Sequence, residues 1–151
     1  MRLQNRVAVI TGGAQGIGRA ISLGMAREGA KIVVADLQAD KANTVVAEIQ
    51  ANGAEAIAIE VNVANEMSVK RLADRTFERF GRIDILVNDA GIYLKAPVVN
   101  KSEEDWDRTI NVNLGGNFLC ARAFVPAMRE QKSGRIITSR VDGVSSPQTR
   151  G

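Results

Sequence analysis

Five short apolar runs punctuate this chain: Val7-Ala8-Val9-Ile10, Ile32-Val33-Val34-Ala35, the segment from Ile57 to Val63, Ile83 to Asn88, and Gly134-Arg135-Ile136-Ile137. Between them lie longer stretches whose apolar residues recur at helical spacing. Continuous apolar runs mark strands buried on both faces, and a parallel sheet sandwiched between helices buries strands in that way. The alternation predicts an α/β fold with a doubly wound parallel sheet, laid out as a single domain over residues 1–151 with no linker or internal repeat.

The helices can be bounded from the sequence. Ile17, Ala20, Ile21, Gly24 and Met25 line one helical face up to Gly29. Asp40 is placed to cap a second helix, with Ala42, Val45, Val46 and Ile49 inward and Gly53 as the stop. Asn65 opens a third, which faces inward through Val69, Leu72, Ala73, Thr76, Phe77 and Phe80 and stops at Gly81. Ser102 with Asp105 has the form of a capping box before a long, mostly apolar helix through Trp106, Ile110, Leu114, Phe118 and Phe124. Trp106, Phe118 and Phe124 read as core, and Cys120, with no basic neighbour to lower its pKa, reads as packing.

Composition narrows the chemistry. The 151 residues include no histidine, which removes Ser-His-Asp triads, Cys-His pairs and His-ligated metal sites; no metal site is expected. One cysteine excludes an internal disulfide and fits a reducing, cytoplasmic setting. The net charge is +3, but Lys and Arg are scattered among acids, so no nucleic acid is expected as a partner. No apolar run approaches the ~20 residues that cross a bilayer, and the first strand begins almost at the initiator Met, leaving no room for a signal peptide; no membrane partner is expected.

The turn Thr11-Gly12-Gly13-Ala14-Gln15-Gly16-Ile17-Gly18 packs four glycines between the first strand and its helix. Glycines there permit positive φ and let a ligand approach the backbone, while the free amides and helix dipole favour a pyrophosphate. Asp36, directly after Ile32 to Ala35, can accept hydrogen bonds from adenosine ribose hydroxyls and would repel a 2′-phosphate. No Arg or Lys lies between Asp36 and Asp40. These features predict a dinucleotide site that prefers NAD over NADP.

The spacing T-G-x-x-x-G-I-G resembles that of the short-chain dehydrogenase/reductase family. Asn88-Asp89-Ala90-Gly91 is similar to its N-N-A-G, and Asn111-Val112-Asn113-Leu114 to its N-V-N-L. The resemblance covers essentially the whole chain and implies a Rossmann-like fold. It also implies a coenzyme turn of Gly12, Gln15, Gly16, Ile17 and Gly18, with Asn62 and Val63 beside the adenine. Asn88, Ala90 and Gly91 would flank the cofactor, and Asn113 would support a proton relay. Asn62 stands where the family has Asp, and Asp89 where it has the second Asn. Read singly, Asn88 and Asn113 fit a structural role better, satisfying buried backbone groups.

The family's acid-base pair, Tyr-x-x-x-Lys, does not occur. The one tyrosine, Tyr93, has Pro97 in the lysine position. Counting through the fifth strand places the family's serine on Val141 or Arg140, and Ser139 is the nearest hydroxyl. The expectation is therefore a C-terminally truncated member: an NAD(P)-dependent oxidoreductase acting on a small secondary alcohol or ketone, whose catalytic portion and further strands lie past Gly151. A fold incomplete after its fifth strand would bare that strand and part of Phe118, Leu119, Ala123 and Phe124, so the chain should associate or melt early. Full-length relatives are expected to be homo-oligomers. The alternative reading is a non-catalytic dinucleotide-binding module or decayed family member.

Overall fold

Each apolar run forms a strand, and all the strands pair in parallel. A computed structural model describes residues 1–139, so Arg140, Val141 and Gly143 lie outside the described residues. In chain order these are β1 (Val7–Thr11), α1 (Gly16–Arg27), β2 (Lys31–Asp36), α2 (Ala39–Ala51), β3 (Ala56–Glu60), α3 (Glu66–Phe80) and β4 (Ile85–Asn88). A short 3-10 turn (Val98–Asn100) leads into α4 (Glu103–Ile110), a π-helical turn (Asn111–Gly115), α5 (Gly116–Glu130) and β5 (Arg135–Thr138).

The sheet order is β3-β2-β1-β4-β5. Successive connections run outward in opposite directions from β1 and β4, so the carboxyl ends of these two strands flank a topological switch point. Alternation along the strands builds two cores. Ala8, Ile10, Ile32, Val34, Ile85 and Val87 pack beneath α1 and α2. Val9, Val33, Leu86 and Ile59 pack beneath α3 and α5, with Leu72, Cys120 and Phe124. Phe124 is fully buried and meets the Phe77 ring edge-on at 5.9 Å, a contact that adds about 0.5–1.5 kcal/mol to its burial.

Local signals set most helix ends. Asn65 caps α3 by accepting the Ser68 N–H at 2.8 Å, and Gly81 ends it at φ 70°. Ser102 caps α4 by accepting the Asp105 N–H at 3.1 Å. The cap expected at Asp40 is absent: Gln38 occupies that position, its side chain makes no cap bond, and Asp40 lies inside the first turn. There its charge still favours the positive helix end. The third strand ends at Glu60, short of Val63.

Two faces differ from expectation. The buried side of α1 is Gly18, Ser22 and Ala26, while Ile17, Ala20 and Gly24 are exposed. The cause is steric. A Cβ on Gly18 would lie 2.1 Å from the Gly12 carbonyl oxygen, so the glycine side of the helix packs closest to the sheet. The long fourth helix is broken by the π turn, and Trp106 and Phe118 are 58% and 59% exposed rather than core. Among the described residues no element covers that outer face. Among the described residues β5 pairs with β4 alone, and all four of its own residues are exposed.

A candidate dinucleotide cleft at the carboxyl edge of the sheet

β1 delivers Thr11 to the switch point, and its hydroxyl organises the loop opposite. Thr11 Oγ1 accepts the N–H groups of Asp89 and Ala90, both at 3.2 Å. The loop after β4 is thereby drawn against the glycine turn. Contact is so close that a Cβ on Gly12, at φ 67°, would lie 2.9 Å from the Ala90 backbone. Glycine is required there on both counts.

The other side of the turn is open. Gly16 has φ 54°, and nothing lies within 4 Å of where its Cβ would be. Gln15 makes no side-chain cap and α1 has no acid in its first turn. Among the described residues no hydrogen bond takes the N–H of Gly16, Ile17 or Gly18. Unpaired amides at a positive helix end constitute an anion site.

These groups face a cleft of about 1240 Å³, larger than the roughly 300–1,000 Å³ of ordinary small-molecule sites. Gly12, Gln15, Gly16 and Ile17 line one wall; Asp36, Asn62 and Val63 line one end; Ala90 and Gly91 line the other wall, together with Ser139. Asp36 closes β2 and is 7% exposed. One oxygen accepts the Ala14 N–H at 3.1 Å and the other the Gln38 N–H at 2.9 Å. Each oxygen retains a lone pair for a further donor, so Asp36 both braces the turn and faces the cleft.

The family model of short chain dehydrogenases matches residues 6–148. The chain belongs to the short chain dehydrogenase family. It is 44% identical over 137 residues to the (2S)-[(R)-hydroxy(phenyl)methyl]succinyl-CoA dehydrogenase subunit BbsD of Thauera aromatica, covering 91% of this chain and 55% of that protein. It is 39% identical over 145 residues to the 3-oxoacyl-[acyl-carrier-protein] reductase FabG of Thermotoga maritima, covering 95% and 59%. The crystal structure of a metagenomic short-chain oxidoreductase in complex with NADP superposes with a TM-score of 0.87 at 35% identity, covering 91% of this chain and 63% of that one. The chain thus spans a little over half the length of these relatives.

The other expected positions in this family member are placed as follows. Asn62 is exposed and its Oδ1 accepts the Ala64 N–H at 3.0 Å. Val63 is buried where α5 approaches it; a Cβ on Gly116 would lie 2.7 Å from Val63 Cγ2. Asn88 is 2% exposed and both polar atoms of its side chain lack partners, so the backbone-satisfying role open to it in sequence is not realised there. Asn113 realises that role fully: its Oδ1 accepts the Ile92 N–H at 2.8 Å and its Nδ2 donates to the Ile92 carbonyl at 2.9 Å. The π turn presents this side chain, and such insertions recur at functional sites. Ser139 continues the ladder through its N–H to the Asn88 carbonyl, and its hydroxyl donates to Asp89.

Sequence reasoning missed several cleft residues. Leu37, Glu104, Asp107, Arg108, Asn111 and Val112 also line it. Asn111 and Val112 stood inside a motif already singled out, whereas nothing local marks Glu104, Asp107 or Arg108, which line the cleft from α4. Burial pushes the Cys120 thiol up to about 12, consistent with packing.

Proposed function

We propose that this chain forms the NAD-binding half of an oxidoreductase that interconverts a small secondary alcohol and its ketone. The observation that carries the reading is the open anion cradle at Gly16 to Gly18, backed by glycines whose Cβ atoms would collide with backbone. Bound NAD would supply the hydride acceptor. Gly12, Gln15, Gly16, Ile17 and Gly18 would hold the diphosphate, Asp36 the adenosine ribose, and Asn62 and Val63 the adenine. Asn88, Ala90 and Gly91 would flank the remainder. Asn113 is proposed as a positioning residue that fixes the loop through Ile92, and Ser139 as the candidate hydroxyl of the reacting edge. NAD is favoured over NADP by the Asp36 carboxylate and the lack of a basic residue between positions 36 and 40. We further propose one domain, a cytoplasmic setting and self-association through the exposed α4–α5 face. No helix among the described residues is long and apolar enough to cross a membrane.

One observation favours a second reading of the polypeptide as it stands. Its 151 residues contain no Tyr-x-x-x-Lys pair, so it would bind coenzyme without turnover. Calorimetric titration with NAD and NADP, followed by assay of secondary alcohols with NAD, separates the cases. Tight NAD binding without turnover is expected; turnover at rates typical of enzymes would exclude the non-catalytic reading, and absence of binding would overturn both.

A further inference from the structure

Asp89 introduces a negative group into the wall of an anion site. Its Oδ2 lies 2.8 Å from the position a Cβ would take on Gly18, directly against the first turn of α1. Its Oδ1 accepts the Ser139 hydroxyl, and its N–H is held by Thr11. The residue lines the same cleft as Gly12, Gln15 and Gly16. A carboxylate so placed draws on the positive end of α1 and repels any diphosphate brought to the same turn.

We propose that Asp89 sets how tightly this chain holds a dinucleotide, its charge opposing the diphosphate while Ser139 anchors and partly offsets that charge. The proposal rests on the dinucleotide-binding reading above. Asp89→Asn keeps the shape, removes the charge and places an amide where the carboxylate meets the first turn of α1. Ser139→Ala removes the hydroxyl dipole that lies against the carboxylate.

The test is calorimetric titration of the full chain with NAD at roughly 0.1 M and 1 M salt, where the screening length falls from about 10 to 3 Å. Asp89→Asn should bind NAD roughly five- to tenfold more tightly than the parent at the lower salt, with the gap narrowing at the higher. Ser139→Ala should weaken binding in the parent, Ser139→Thr should restore it, and the loss from Ser139→Ala should be smaller in the Asp89→Asn background, where there is no charge left to offset. Asp89→Ser, also uncharged, repeats the comparison if Asp89→Asn melts far below the parent. If the parent binds NAD and the uncharged variants bind it equally or more weakly, the role of Asp89 falls while the dinucleotide reading stands. If neither the parent nor any variant binds NAD, both fall.

Discussion

Gly16 and Gly18 sit two positions apart and answer to different constraints. A methyl on Gly18 would press into the Gly12 carbonyl, so Gly18→Ala should destabilise the fold by about 3 kcal/mol, seen as a lowered urea midpoint. A methyl on Gly16 would meet open space, so Gly16→Ala should cost only the about 1–2 kcal/mol of a non-glycine residue at positive φ. It should nonetheless weaken NAD binding at least tenfold in the same titration, because the methyl projects into the anion cradle. Equal NAD affinity in Gly16→Ala and the parent would remove that cradle from the site. Cys120 offers a separate check. With its thiol pushed up to about 12 by burial, it should stay inert to a disulfide reagent near pH 8 and react only after denaturation.

At the scale of elements, the entry ends of β1 and β4 are joined through Asp84. Its carboxylate, 3% exposed, accepts Arg6 at 2.8 Å, Arg82 at 2.6 and 2.9 Å and the Val7 N–H at 3.0 Å. Burial works to raise the Asp84 carboxyl, but the hydrogen bonds from Arg82, Val7 and Arg6 outweigh it and hold it below the ordinary value of 3.8. A carboxyl lowered in the folded state stabilises above its unfolded value, and that contribution disappears as pH falls through the lowered one. Asp84→Asn should therefore cost about 1–3 kcal/mol near neutral pH, and the gap between parent and variant in urea unfolding should close as pH drops below about 4. A gap independent of pH would show that the charge is immaterial. The π turn shows the same dependence of an element on a single side chain: Asn113 clamps both backbone groups of Ile92, so the position of the cleft wall after β4 is inherited from a helix distant in sequence.

At the scale of the molecule, α4, the π turn and α5 expose Trp106, Leu114 and Phe118, each more than half exposed, and among the described residues β5 is an edge strand with Ile136 and Ile137 also exposed. Exposed large apolar side chains together with an unpaired strand edge favour association. Sedimentation velocity should show mass rising with concentration, and Leu114→Glu combined with Phe118→Glu should shift the chain toward monomer; a monomer at every concentration in the parent would refute this. Much of the architecture was legible beforehand, because continuous apolar runs and period-3.6 burial are written locally: five parallel strands, the caps at Asn65 and Ser102, and the inward faces of α2 and α3. The glycine turn was legible for the same reason, since positive φ and missing Cβ atoms are properties of the residues themselves. The rotation of α1 was not, because it depends on how near Gly18 comes to Gly12. Exposure of Trp106 and Phe118 was not, because hydrophobicity states a preference for burial but not whether a neighbour exists to provide it. Likewise Asp89 and Ser139, or Asp107 and Arg108, become members of one cleft only when the sheet order sets β4 beside both β1 and β5. Local chemistry determined the elements and the anion-binding turn; through-space proximity, which no pattern along the chain encodes, decided which charges and hydroxyls share that turn.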